Sequence, residues 1–106
     1  MSDPGELFAV EKTVDDMRAK KALSEASYNQ CLVTLASEHL CIHHETEYAL
    51  ILLNKCSPDY FDQTIVQQMK LDHLFAEAVI ELVYRLVQLG ITLDVVESIN
   101  VPPAEA

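Results

Sequence analysis

Between Glu38 and Glu47 the chain reads Glu-His-Leu-Cys-Ile-His-His-Glu-Thr-Glu, which sets three of its four histidines beside three carboxylates. The surrounding residues follow the apolar spacing of a buried helix. Ionisable groups leave water at a high free-energy cost unless they are paired, hydrogen-bonded or bound to a metal. The stretch therefore reads as a site or as a polar seam. At about 100° per residue, Glu38 and Glu45 fall on one flank of an apolar stripe and His39 and Thr46 on the other, with Ile42 between them. Further along, Asp72 lies in an apolar arc with Phe75, Ala76, Val79 and Val83, and His73 sits at the edge of a polar stripe running through Lys70, Glu77, Glu81, Arg85 and Gln88.

An antiparallel pairing of the two helical segments brings Asp72 level with Ile42, between Glu38 and Glu45 and near His39. Three carboxylates gathered in a low-dielectric core repel one another. A protonated His39 or His73, one neutral carboxyl group, or a divalent cation would relieve that repulsion. Glu38, His39, Glu45, Asp72 and His73 are thus the candidate metal ligands. Oxygen donors suit Mg²⁺ or Mn²⁺, and added imidazole extends the set to Zn²⁺ or Fe. The competing expectation is a hydrogen-bonded polar layer that fixes helix register.

The elements that must hold these residues are helices. Half of the 106 residues are apolar, with only two glycines and four prolines. Long uninterrupted segments follow, and the expected class is all-α. Asp3-Pro4-Gly5-Glu6 has the form of a helix start, with a capping Asp, an early Pro and a Glu three residues on. Expected helices cover about 4–22, 25–54, 58–89 and 93–99, with a frayed tail over 100–106. Ser24 or Ser27 caps the second, Ser57-Pro58-Asp59 separates the second from the third, and Gly90 supplies a left-handed end. Thr92 caps the short last helix.

The second and third helices should form a long antiparallel hairpin, each arm about 45 Å long. The second carries two apolar stripes on nearly opposite sides, one of Cys31, Leu35, Ile42, Ala49 and Leu53, the other of Val33, Leu40 and Ile51. A helix apolar on both sides lies between neighbours. The chain is thus expected to be one α-helical domain that completes a four-helix or larger bundle as a homodimer.

The formal net charge of −10 argues against nucleic acid, whose binding rests on Lys and Arg neutralising phosphates. It suits a basic partner or a cation. Cys31, Cys41 and Cys56 are odd in number and form no Cys-x-x-Cys; with no leader at the N-terminus, they read as reduced core residues of a cytoplasmic protein. No segment reaches the ~18 apolar residues of a membrane span.

Two families place carboxylates in comparable ways. Ferritin-like diiron proteins use Glu and Glu-x-x-His on facing helices; this chain has no Glu-x-x-His. The segment from Glu77 to Asp94, Glu-Ala-Val-Ile-Glu-Leu-Val-Tyr-Arg-Leu-Val-Gln-Leu-Gly-Ile-Thr-Leu-Asp, is similar to the third helix and following turn of MazG-like nucleotide pyrophosphohydrolases. That family's metal motif is Glu-x-x-Glu on one helix and Glu-x-x-Asp on the next. Here Glu77 stands at the Asp position, Leu74 takes the place of its Glu, and the second helix has no Glu-x-x-Glu. Without that motif, the resemblance implies an inactive relative or an unrelated bundle; a metal bound at the candidate cluster would make the chain a hydrolase of nucleoside triphosphates or related phosphate esters, or a ferritin-like protein that stores or senses the metal. The residues themselves favour a non-enzymatic reading, a small acidic bundle that binds protein or regulates a partner.

Overall fold

A computed structural model describes residues 4–91. The expected helix 93–99, its Thr92 cap, the tail 100–106 and the Asp3 cap lie outside the described residues. Within them the chain is helical and contains no strand. The order is α1 (Pro4–Ala19), α2 (Glu25–Cys41), α3 (Thr46–Lys55), a π-helical turn (Tyr60–Thr64) leading into α4 (Ile65–Leu71), and α5 (His73–Gln88). None of these helices is long and apolar enough to cross a membrane.

The ends of the helices are set by local chemistry. At the end of α1, Lys21 adopts a left-handed φ of 60°. Ala22 N–H then donates to the Met17 carbonyl and Lys21 N–H to that of Arg18, the paired bonds of a Schellman motif. Gly90 ends α5 in the same way at φ 72°, with Ile91 bonding back to Leu86 and Gly90 to Val87. Ser24 caps α2, its hydroxyl accepting from Ser27 N–H at 3.1 Å.

Neither long arm of the expected hairpin is continuous. The segment 25–54 breaks at 42–45, where His44 takes a left-handed φ of 58°. Glu45 N–H reaches across the break to the His39 carbonyl at 2.8 Å, and α3 returns against α2. Among non-glycine residues, His is one of the few enriched in that conformation. The segment 58–89 breaks at Asp72, which is extended at φ −135° and ψ 102°. Asp72 closes α4 through its own N–H and opens α5, its carboxylate accepting from Phe75 N–H at 3.1 Å. A short polar side chain competes well for backbone donors, so Asp is favoured at such a cap over a helix interior.

α2 is the centre of the packing, in contact with α1, α3, α5 and the π-helical turn. Its buried residues are Asn29, Leu32, Val33, Leu35, Ala36, Ser37, His39 and Leu40, which cover an arc of about 200° at the helical repeat. Leu7 of α1, Leu52 and Leu53 of α3, Phe61 and Ile65 around the π-helical turn, and Phe75, Val79, Leu82 and Leu86 of α5 complete the core. The doubly apolar helix is thus covered on its two sides within the chain, because α3 folds back on it.

His44 should behave as a residue chosen for its backbone. His44→Gly is expected to stabilise the fold by about 0.5–1 kcal/mol by removing the left-handed strain, and His44→Val to destabilise it. Denaturant melts of the two variants check this; equal stabilities would place the break elsewhere.

Candidate functional site

The structure brings together two of the five candidate ligands. His39 is fully enclosed, with its Nδ1 3.4 Å from Glu45 Oε1. Its ring packs against Phe8 and Tyr48, with centroids 5.3 and 4.8 Å away. The Nε2 atoms of His39 and His43 are buried with no hydrogen-bond partner among the described residues. Glu45 stands at the N-cap of α3 but makes no side-chain cap bond; its carboxylate turns toward His39 instead.

The other three candidates lie apart from this pair. Asp72, expected in the apolar arc, is exposed and caps α5. That arc presupposes a helix running through Asp72, and the break there turns the side chain outward. His73 begins α5 and is exposed. Glu38 is half-buried on α2, where it lines one cleft under α1 and another against α5. Among the described residues no three His, Cys, Asp or Glu side chains meet in an arrangement that could hold a metal ion.

A different polar cluster joins α1 to the body of the fold. Lys55 Nζ, at the end of α3, donates to Glu11 Oε2 at 2.9 Å and to both oxygens of Asp15 at 3.2 and 3.1 Å. Tyr48 O–H donates to Glu11, and Tyr28 O–H donates to Asp15 at 2.7 Å. Glu11 itself is buried. Burial opposes the charge on Lys55, yet the bonds to Glu11 and Asp15 outweigh it and hold the ammonium above its ordinary range. Burial, then the bond to Glu11, pushes the Tyr48 hydroxyl up to about 12. The sequence did carry a sign of this seam in Glu11 and Asp15, four apart and therefore on one face. Their partners come from α2 and α3, whose positions depend on the break at His44.

The cysteines are free. Burial pushes all three thiols up, Cys56 to about 12, and Glu81 adds to the effect at Cys41. A thiol raised in this way holds less thiolate at neutral pH than a free cysteine. Cys41 forms part of the floor of the cleft between α2 and α5, about 230 Å³ in volume, whose rim carries Glu38, Glu77 and Glu81 with Ile42 and Leu74.

The α1 seam has a pH signature. Tyr48 ionises near its ordinary 10.0 in the unfolded chain and near 12 in the fold, so its contribution is complete below pH 10 and is lost as the pH climbs toward 12. Lys55 acts in the same sense. Tyr48→Phe should be less stable than the parent at pH 7 by about 1 kcal/mol, and the gap should narrow between pH 10 and 12. Thermal melts across that range check it; a constant gap would contradict the coupling.

Compared with known proteins, the chain matches no family model, no curated protein and no solved structure. The likenesses to MazG-like and ferritin-like proteins rest on the quoted residues alone.

Proposed function

We propose that this chain is a non-catalytic helical module that binds protein and associates first with a second copy of itself. The observation that carries this reading is the outer face of α5. Phe75, Val79, Leu82 and Leu86 point into the core, and nearly opposite them Ile80, Tyr84 and Val87 are 48, 52 and 65 % exposed. A helix apolar on two sides calls for two neighbours. Aromatic residues such as Tyr are enriched at protein interfaces, where the ring buries area and the hydroxyl stays hydrated.

The spacing of this face fits a copy of the same helix. Ile80, Tyr84 and Val87 are four and three residues apart, so an antiparallel neighbour sets Ile80 level with Val87 and brings Tyr84 close to its twin. The same register puts Glu77 level with Gly90 and Glu81 level with Leu86, so no carboxylate meets its like. Two copies of a chain with net charge −10 repel at long range, and salt screens that repulsion.

Light scattering at roughly 100 μM protein should report a dimer that tightens as salt rises toward about 0.5 M. Tyr84→Glu, on an exposed position, should keep the helical circular-dichroism spectrum and remain monomeric. A wild-type chain that stays monomeric at the highest protein and salt concentrations would overturn the self-association.

A further inference from the structure

The cleft between α2 and α5 has features that the outer face of α5 lacks. At about 230 Å³ it is smaller than the pockets of roughly 300–1,000 Å³ that enclose small molecules. It has room for an apolar side chain or two. Its rim presents Ile42, 51 % exposed, and Leu74, 78 % exposed. Leu71, which ends α4 just ahead of Leu74, is more exposed still. Large apolar side chains held this far into water mark a contact surface when they gather at one place.

Charge decides what the cleft would accept. Glu38, Glu77 and Glu81 line it, and Arg85, outside the lining, is near enough to act on Cys41. The carboxylates outnumber this cation. In a chain of net charge −10, such a rim disfavours a second copy, a nucleic acid or an anionic lipid surface. It complements Lys and Arg side chains that flank an apolar anchor.

We propose that this cleft docks a short basic amphipathic helix of another protein, an assignment that rests on the protein-binding role above. An apolar side chain of that helix seats between Ile42 and Leu74 over Cys41. Its basic neighbours reach Glu38 on one wall and Glu77 and Glu81 on the other, in charge-assisted hydrogen bonds. The apolar anchor supplies most of the affinity and the carboxylates supply orientation and rate of encounter. Salt weakens this contact, whereas it strengthens self-association through α5.

The probe is a labelled peptide of roughly 14 residues made of Leu and Lys, with Leu at helical i, i+3, i+4 spacing, measured by fluorescence anisotropy. A scrambled isomer of equal charge and no apolar face is its control. The protein should bind the amphipathic peptide about tenfold tighter than the isomer. Leu74→Ser should erase that preference, and Glu77→Gln with Glu81→Gln should weaken binding by a similar factor. Glu47→Gln with Asp62→Asn, which removes two exposed charges outside the cleft lining, should change little. Equal binding of the two isomers, or equal losses in the two charge pairs, would mean unspecific attraction to an acidic surface and would overturn the assignment. The Tyr84→Glu variant separates the two surfaces: it should be monomeric yet keep the peptide preference, and loss of that preference would place peptide binding on the outer face of α5 and overturn the cleft. A parent chain that self-associates but does not discriminate between the peptides defeats the cleft alone, and one that does neither defeats the protein-binding reading as well.

Discussion

The burial of α2 over more than half its circumference is the constraint on which the rest of the structure depends. A helix apolar from Leu35 round to Leu40 and Val33 can leave only its narrower side to water. Its neighbours must therefore come from several directions, and the chain provides them by turning back sharply. The left-handed His44 lets α3 leave α2 and return along it. The break at Asp72 does the same for α4 and α5. Each turn places a polar residue where its side chain or backbone is an asset, a conformation His tolerates in one case and a cap Asp provides in the other.

The two sides of α2 are finished differently. Toward α1 the contact is closed by Lys55, Glu11, Asp15, Tyr28 and Tyr48, a linked set of donors and acceptors around a buried carboxylate. Such a network specifies one docking of α1, because a partial set would leave a charge unpaired. Phe8 then completes the seam over His39 and Tyr48. Toward α5 the contact is mainly apolar, with one bond from the Ser37 hydroxyl to the Ala78 carbonyl at 3.1 Å, and among the described residues Ile80, Tyr84 and Val87 on the outer side of α5 stay exposed. α1 is thus tied down by a polar network, whereas α5 leaves Ile80, Tyr84 and Val87 open. That asymmetry is what supports a binding role for α5.

The helical class, the Ser24 cap, the boundary at Ser57-Pro58 and the left-handed Gly90 were legible in the sequence because each rests on local chemistry. The breaks at His44 and Asp72 were not, since the apolar spacing runs through both positions without a fault. Gly and Pro, the usual punctuation, are absent from both breaks. The signals present were weaker ones, a His-His pair and an Asp inside a helical run. The expected meeting of Glu38, Glu45 and Asp72 was drawn on two unbroken helices, and the chain breaks both, at 42–45 and at Asp72. His39 and Glu45 come together because the break itself turns Glu45 back. The need of α2 for neighbours on two sides was also legible, but not where they would come from. Once α3 fills that role, an apolar face left exposed among the described residues lies on α5.

The most direct test of this division of labour is amide hydrogen exchange followed at a low and a high protein concentration. α2 should exchange slowest at both, and to the same extent, because its cover comes from its own chain. The α5 amides from Ile80 to Val87 should gain protection at the higher concentration. Protection in α5 that does not change with concentration, or α2 amides that exchange as fast as those of α1, would contradict the account.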